Sequence, residues 1–378
     1  MLNILITGGA GFIGSNLALK LISKGYQVTV LDSLSPQIHG TDPEKTSPLY
    51  NSIKDKVKFI KGSVTERKDC EYALKNQNIV IHLAAETGTG QSMYEIEKYT
   101  QVNIQGTALL LDILTNMKHA VSKVLVASSR AIYGEGRYQC AVHGIVYPLA
   151  RKDFDMAKGD FECKCPFCGS TVKLLTTTED SLIHPTSVYG ITKQMQEQLV
   201  MTVCPTINIA PVALRYQNVY GAGQSLSNPY TGILSIFSTQ IKNNHDLNIF
   251  EDGMESRDFV YIDDVVDATI RAMENENANG QLFNVGTGVA INVKTVADTL
   301  IEKYHIPVKC ITSGNYRLGD IRHNIADISK INDLLGFRPQ YDFNEGIQKF
   351  VNWVNIQDIQ EDKYDESIQE MKKKGLYK

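Results

Sequence analysis

The chain has 378 residues, of which 43% are hydrophobic and 21% are charged, and its formal net charge is -4. This is enough apolar material for a large core shared by two closely associated domains. The small negative charge and the lack of a clustered basic stripe argue against nucleic acid as a partner. No apolar run approaches the roughly 20 residues that cross a bilayer, and the opening residues MLNILITGG lead into a strand without a charged n-region. We therefore expect a soluble cytoplasmic protein that does not contact membranes.

Short β-branched segments alternate with segments of helical periodicity over the first 215 residues. Strands are predicted at residues 3–7, 27–32, 57–61, 79–84, 123–128 and 210–215. Helices are predicted at residues 13–23, 103–117 and 188–203. Because strands and helices alternate and the strands are apolar on both faces, the sequence predicts a Rossmann-like α/β fold, a doubly wound parallel sheet covered on both sides.

The alternation is interrupted between about residues 136 and 182, where the composition turns polar and cysteine-bearing. We interpret this segment as an insertion within a dinucleotide-binding domain at residues 1–212. Residues 213–378 are predicted to form mainly a smaller α/β substrate domain over the carboxyl edge of the sheet, with some segments returning to the first domain. The last 20 residues are predicted to be a solvated helix or a frayed tail, with no function assigned.

The sequence TGGAGFIG directly follows the first predicted strand and opens the first helix. Gly8, Gly11 and Gly14 permit a tight turn, so that with Phe12 and Ile13 they can bring a pyrophosphate onto the helix N-terminus. Their spacing departs from the commoner Gly-x-Gly-x-x-Gly. Taken alone, the turn also fits a strand–helix connection without a ligand.

Asp32 ends the second predicted strand, where a carboxylate can accept hydrogen bonds from the adenosine ribose hydroxyls. The following residues supply no arginine for a 2′-phosphate, so the pattern favours NAD over NADP. Taken alone, Asp32 could be a turn residue at a strand end.

Tyr189 and Lys193 are four residues apart in SVYGITK and therefore share one face of a helix. An ammonium group beside a phenol favours the phenolate, which makes proton transfer at a sugar hydroxyl feasible. Ser129 follows the fifth strand, where its hydroxyl can bind a substrate oxygen. Alone, the pair also fits an ordinary amphipathic helix, and Ser129 fits a helix cap.

With these groups together, the chain resembles the extended short-chain dehydrogenase/reductase family, that is, the nucleotide-sugar epimerases and dehydratases. The resemblance covers residues 2–339 apart from the cysteine insertion. It rests on ordered motifs: TGGAGFIG, HLAAETGTG, VNIQGT, SSRAIYG, YGITK, LRYQNVYG and ESRDFVYIDD.

The resemblance implies that Tyr189 is the base, that Lys193 orients the nicotinamide ribose and lowers the pKa of Tyr189, and that Ser129 binds the reacting oxygen. It implies further NAD contacts at Ser63, Val64, Leu83, Ala84, Ala85 and Asn103. It implies nucleotide-sugar contacts at Thr87, Arg130, Asn218, Arg257, Arg317 and Asp320. Relatives usually have Asp where this chain has Ser63, so the chain departs from the family pattern at this position. The family analogy also implies a homodimer.

Dehydratases of this family carry an Asp–Glu pair directly after the catalytic hydroxyl residue, whereas this chain has Arg130 and Ala131. An epimerase needs only reversible oxidation at C4 by tightly held NAD through a 4-keto intermediate. The stretches DSLSPQIHG and AAETGTGQSMYEI are most similar to the subgroup that interconverts dTDP-L-rhamnose and dTDP-6-deoxy-L-talose at C4. An epimerase or 4-ketoreductase for another nucleotide sugar, and a non-enzymatic NAD-binding sensor or scaffold, are the alternatives.

The insertion contains two short Cys/His spacings, YQCAVHG and CPFCG. They place Cys140 three residues before His143, and Cys165 three residues before Cys168. Two such turns are typical of zinc-ribbon knuckles, so we predict a structural zinc bound by these four residues, with Cys163 as an alternative ligand. Reduced free thiols in a loop would give the same spacing.

Overall fold

The computed structural model describes residues 2–228, 230 and 232–378. Within these ranges the strands are β1 (Asn3–Thr7), β2 (Gln27–Asp32), β3 (Lys58–Lys61), β4 (Ile79–His82), β5 (Lys123–Ser129), β6 (Tyr138–Cys140), β7 (Gly144–Val146), β8 (Lys173–Leu174), β9 (Ala210–Tyr216), β10 (Asn218–Tyr220), β11 (Leu247–Ile249), β12 (Ser256–Arg257), β13 (Phe259–Tyr261), β14 (Gln281–Val285), β15 (Ile291–Asn292), β16 (Cys310–Thr312) and β17 (His323–Asn324).

The α-helices of the same ranges are α1 (Phe12–Ser23), α2 (Pro36–His39), α3 (Pro43–Thr46), α4 (Pro48–Ile53), α5 (Arg67–Ala73), α6 (Thr89–Ser92), α7 (Ile96–Tyr99), α8 (Gly106–Asn116), α9 (Asp153–Met156), α10 (Val188–Thr206), α11 (Ile233–Lys242), α12 (Ile262–Glu274), α13 (Val293–Tyr304), α14 (Ser329–Leu335), α15 (Phe343–Asn355) and α16 (Tyr364–Lys373). A π-helical turn, Thr100–Gln105, leads directly into α8. No helix in the described ranges combines the length and apolar character that a bilayer crossing requires.

The central sheet of the described chain has seven strands in the order β14-β9-β5-β4-β1-β2-β3, all parallel. Along β1, Ile4 and Ile6 join the core on one face of the sheet, and Leu5 joins the core on the other. Successive strand residues point to opposite faces, so a strand that is apolar throughout is buried on both sides. The predicted doubly wound α/β fold is confirmed.

Helices cover both faces of this sheet. On one face α1 packs against α12, and on the other α8 contacts both α5 and α10. Helix α10 begins after Ser187, whose hydroxyl accepts a hydrogen bond from Gly190 N at 3.1 Å. This cap fixes the first turn of α10, which carries Tyr189, at the carboxyl edge of the sheet.

The part of the chain after β9 forms small sheets beyond that edge: β10 with β13, β11 with β16, and β12 between β15 and β17. Strand β14 and helix α12 return to the central sheet. The predicted domain boundary at residue 212 lies inside β9.

The insertion is a small antiparallel sheet in the order β7-β6-β8, with α9 between β7 and β8. It has its own apolar cluster, formed by Tyr138, Cys140, Val146, Cys163, Cys165 and Val172.

The predicted C-terminal helix is present, but it is not solvated on all sides, and the alternative of a frayed tail is wrong. Helix α16 buries Ile368 and Met371, and Tyr377 after it is also buried, with Phe250 packed against the same cluster. The helix is amphipathic, and its short apolar face packs with Tyr364, Leu376 and Tyr377 from the same segment and with the distant Phe250. The local composition could not reveal the contact with Phe250.

Candidate active site

The carboxyl edge of the sheet opens onto a cavity of about 630 Å³. The predicted cofactor and substrate residues that line it are Gly8, Gly11, Phe12, Ile13, Gly14, Asp32, Ser63, Val64, Leu83, Ala84, Ala85, Thr87, Ser129, Arg130, Tyr189, Lys193, Asn218, Arg257, Arg317 and Asp320. Among the residues that the structure describes, Asn103 is the only predicted cofactor or substrate residue that does not line the cavity. The topology therefore brings together residues that are up to 312 positions apart (8 to 320).

The glycine turn allows an unusually close approach of backbones. Gly8 has a φ of +68°, and a Cβ there would lie 2.8 Å from the Ala84 backbone. A Cβ on Gly14 would lie 2.5 Å from the Gly8 carbonyl oxygen. Helix α1 begins at Phe12 after the N-cap residue Gly11, without a side-chain cap and without an acidic residue in its first turn. Its free N–H groups and positive dipole end therefore suit the pyrophosphate of a dinucleotide.

Asp32 lies at the end of β2 and is largely buried. Its Oδ2 accepts a hydrogen bond from Ala10 N at 2.9 Å, and its Oδ1 accepts one from Leu34 N at 2.9 Å. A carboxylate has about four acceptor sites, so capacity remains for ribose hydroxyls. The two backbone bonds tie the glycine turn to the loop after β2.

Ser63 and Asn103, both predicted to contact NAD, make hydrogen bonds within the protein. Ser63 N donates to Asp69 Oδ2 at 2.9 Å. The carboxylate of Asp69 therefore lies beside Ser63, the position at which the resemblance implies an Asp. Asn103 is fully buried in the π-helical turn. Its Oδ1 accepts from Glu86 N at 2.7 Å, and its Nδ2 donates to Thr192 Oγ1 at 2.9 Å. Asn103 thus links the loop after β4 to helix α10 from behind the cavity wall.

Tyr189 faces the cavity from the first turn of α10, close to Ser129 at the end of β5. Burial raises the pKa of Tyr189, while the Ser129 hydroxyl and the charge of Arg130 lower it. The Ser129 hydroxyl also accepts a hydrogen bond from Ala131 N at 3.1 Å. Arg130 is thus a cation that lowers the pKa of the phenol, and the role of Lys193 in lowering it stays a prediction.

Lys193 is buried, and burial lowers its pKa to about 7. Its Nζ donates to Gln196 Oε1 at 2.9 Å, and Gln196 Nε2 donates to Thr107 Oγ1 at 2.9 Å. His82 adjoins this group, and burial, with a smaller contribution from Lys193, lowers its pKa to about 3. Sequence reasoning missed Gln196, although it lies on the same helix three residues after Lys193.

The cavity lining also includes several arginines. Arg257 donates to the backbone oxygens of Ser256 and Ile321, and Arg317 pairs with Asp320 at 2.7 Å. Burial and the charge of Arg257 lower the pKa of Arg130 to about 9. Clustered guanidinium groups facing one cavity are suited to a diphosphate.

Cys140, His143, Cys165 and Cys168 converge in the insertion, with one ligand atom from each lying within 4.8 Å of the others. Cys140 Sγ is 3.7 Å from His143 Nδ1 and 3.7 Å from Cys168 Sγ. Cys165 Sγ is 3.6 Å from His143 Nδ1. Cys163 is not in this group, because its Sγ contacts Tyr138 OH at 3.3 Å and Glu135 Oε2 at 3.4 Å.

Residues 4–148 and 168–286 match the NAD dependent epimerase/dehydratase family. The chain belongs to this family. It is 37% identical to the dTDP-L-rhamnose 4-epimerase of Burkholderia thailandensis, over 93% of this chain and 94% of the relative. It is 30% identical to a putative UDP-glucose 4-epimerase of Methanocaldococcus jannaschii, over 93% and 98% of the two chains.

Two solved structures share the fold over nearly their full length. One is UDP-glucose 4-epimerase from Thermotoga maritima with UDP-glucose, at a TM-score of 0.76 and 30% identity, covering 94% of this chain and 99% of that one. The other is UDP-glucuronic acid 4-epimerase from Bacillus cereus in complex with UDP-glucuronic acid and NAD, at 0.76 and 26%, with the same coverage. The protein is an NAD-dependent nucleotide-sugar epimerase, so the prediction of an enzyme of this class is confirmed.

Proposed function

We propose that the protein is a 4-epimerase of dTDP-6-deoxyhexoses that interconverts dTDP-L-rhamnose and dTDP-6-deoxy-L-talose. The observation that carries the reaction type is the grouping of Ser129, Tyr189 and Lys193 at one cavity, with Arg130 and Ala131 where dehydratases have an acid–base pair. The choice of nucleotide and sugar is supported by the similarity to the Burkholderia thailandensis dTDP-L-rhamnose 4-epimerase.

NAD, held by the glycine turn and Asp32, supplies reversible oxidation at the sugar C4 when it is bound. Tyr189 takes the proton from the C4 hydroxyl and returns it to the oxygen after the sugar has turned. Ser129 hydrogen-bonds that oxygen in both states, and Lys193 would hold the nicotinamide ribose. Arg130 and Arg257 stay on the diphosphate, so the sugar can turn while the nucleotide remains fixed.

Purified protein incubated with dTDP-L-rhamnose and no added reductant should form the 4-epimer, detected by NMR. Tyr189→Phe should retain NAD but lose turnover, because the phenyl ring cannot accept the proton. Turnover by the variant would rule out the proposed base. A parallel panel of UDP-glucose, UDP-glucuronic acid and dTDP-glucose tests the substrate assignment, which fails if one of these is epimerised faster than the dTDP-deoxysugar.

We also propose that Cys140, His143, Cys165 and Cys168 bind a structural zinc ion. With Zn–S distances near 2.3 Å and Zn–N distances near 2.0 Å, tetrahedral ligands lie about 3.5–3.8 Å from one another. The contacts of 3.6–3.7 Å between these side chains fit that geometry. Four protein ligands leave no open position for a substrate, so the metal would crosslink the insertion.

Metal analysis should find one equivalent of zinc in the wild-type protein and a loss of zinc in Cys168→Ser. Cys163→Ser is the matched control, because Cys163 lies in the same insertion but contacts Tyr138 and Glu135. Metal-free wild-type protein, or equal zinc loss in the control, would contradict the proposed ligand set. The melting temperature of the protein should fall as its zinc content falls.

We further propose that residues 1–212 mainly hold NAD and that residues 213–378 mainly hold the nucleotide sugar. We also propose that the protein is cytoplasmic and forms a homodimer. The family resemblance supports a dimer through the helices that flank the sheet, and Ile191 on α10 is 46% exposed there. Light scattering on Ile191→Asp, compared with the wild type, tests this contact. A dimer that survives the substitution, or a monomeric wild type, would contradict it.

A further inference from the structure

The C-terminal helix α16 presents one face to the active-site cavity. The residues that line the cavity from this helix are Tyr364, Ser367, Ile368 and Met371. Their spacing of three and four residues places them on one side of the helix. Glu366 and Lys373, on the other side, are exposed. The helix is therefore a wall of the cavity as well as part of the C-terminal apolar cluster.

The residues after α16 fix this wall to the substrate side of the cavity. Tyr316 N donates to Lys378 O at 2.9 Å, and Lys378 N donates to Tyr316 O at 3.0 Å. Leu318 N donates to Leu376 O at 3.0 Å. This pairing holds the segment that carries Arg317, whose guanidinium lies 5.2 Å from the centre of the Phe250 ring. The position of a cavity cation thus depends on the last residues of the chain.

Helix α16 and Lys374 directly after it also contact the segment after β4 and the residue Tyr230. Met371 Sδ lies 3.6 Å from the position that a Cβ on Gly90 would occupy. Glu370 accepts a hydrogen bond from the Tyr230 hydroxyl, and Lys374 Nζ lies 5.7 Å from the centre of the Tyr94 ring. The helix therefore bridges the loop after β4 and the segment around Arg317, across the cavity.

We propose that α16 is a specificity-determining wall of the nucleotide-sugar site, with Ile368 and Met371 in apolar contact with the bound nucleoside diphosphate sugar. This inference rests on the proposed function, in that the cavity takes a nucleotide sugar. Both side chains are 7% or less exposed in this structure. They line the same cavity as the glycine turn, and we assign them to the substrate, with NAD binding unchanged when they are replaced.

The test compares four proteins: the wild type, a chain ending at Asp362, the double variant Ile368→Ala/Met371→Ala, and the control Glu366→Ala/Lys373→Ala on the exposed side of the helix. Calorimetry measures binding of dTDP, dTDP-L-rhamnose, UDP and UDP-glucose. Bound NAD is measured by absorbance after denaturation. Circular dichroism checks that each protein is folded.

We expect the truncated chain and the double variant to bind the preferred nucleotide sugar at least about tenfold more weakly, which is ~1.4 kcal/mol. Their NAD content should equal that of the wild type. The control should match the wild type in both nucleotide-sugar affinity and NAD content. If the truncated chain does not fold, the double variant decides the test. The conservative variant Met371→Leu, which keeps a large apolar side chain, should bind the nucleotide sugar as the wild type does. Wild-type affinity in the double variant, a parallel loss of NAD, or equal weakening in the control would overturn the proposal.

This outcome is separable from that of the proposed function. If the wild type binds a nucleotide sugar but epimerises none, the reaction assignment fails, while the binding comparison still decides the role of α16. If epimerisation occurs and the double variant binds normally, only the role of α16 fails.

Discussion

Lys193 Nζ donates a hydrogen bond of 2.9 Å to Gln196 Oε1, one turn further along the helix that carries Tyr189. Both side chains are buried. The ammonium group is therefore solvated by a neutral amide, and burial lowers its pKa to about 7. Its charge changes close to neutral pH, where the proposed reaction would need a cation beside the nicotinamide ribose.

This burial predicts a pH-dependent stability in NAD-free protein. Lys193 has a pKa of about 7 when folded, against an ordinary value of 10.5, so between these values the unfolded state binds more protons and stability rises with pH. Relative to Lys193→Met, the unfolding free energy of the wild type should rise between pH 7 and 9 by at most about 1.4 kcal/mol per pH unit. Urea unfolding of both proteins measures this. Parallel pH profiles would refute it, and Lys372→Met, at an exposed position, is the control.

Arg130 should tune the proton transfer by Tyr189. Its positive charge lowers the pKa of the phenol, opposing the larger effect of burial. In Arg130→Gln the phenolate loses this support, so the pKa of Tyr189 rises and the acidic limb of the kcat profile moves to higher pH. Arg257 and Asp320, whose charges affect the pKa of Arg130, are unchanged in this variant.

The pH–rate profile of Arg130→Gln should therefore recover activity as pH increases. Arg338→Gln is the matched control, because Arg338 is exposed and, within the described residues, its guanidinium donates only to Asn332. An unshifted acidic limb, with a uniformly lower kcat at all pH values, would show that Arg130 acts in binding alone.

The ion pair between Arg215 and Glu197 ties β9 to α10 in the interior. Arg215 Nε and Nη2 donate to the two Glu197 oxygens at 2.9 and 2.6 Å, and Nη1 donates to Tyr133 OH at 2.7 Å. Arg215→Met leaves the buried Glu197 carboxylate without its partner, which should cost about 3–5 kcal/mol of unfolding free energy. Denaturant unfolding measures this loss. In Arg215→Met/Glu197→Leu much of the stability should return, and failure to recover would point to packing instead of charge.

Asp32 should set the choice between NAD and NADP. Its carboxylate lines the cofactor end of the cavity, where it would repel a 2′-phosphate and bind ribose hydroxyls. Asp32→Ala should weaken NAD binding by about tenfold, ~1.4 kcal/mol, and reduce the preference over NADP. Titration of the NAD-free protein with both cofactors tests this. The exposed Asp55→Ala is the control, and an unchanged preference would remove Asp32 from cofactor selection.

Much of the fold and site follows from local sequence, because the relevant signals are short. The strand ending in Thr7, the glycine turn after it and the helix after that turn are adjacent in the chain, and together they fix the cofactor end of the cavity. The four-residue spacing of Tyr189 and Lys193 and the three-residue spacings of the cysteine pairs are likewise properties of single turns.

Tertiary structure alone decided what depends on contacts between distant residues. Asn103 lies behind the cavity wall because Glu86 and Thr192 occupy its carboxamide, and Arg130 acquires its influence on Tyr189 only when β5 and α10 adjoin. The C-terminal helix shows the same limit most clearly. Its composition indicated a solvated helix or a frayed tail, and only the folded chain supplies the distant Phe250, which packs against the cluster of Ile368 and Met371. Both of these side chains line the cavity.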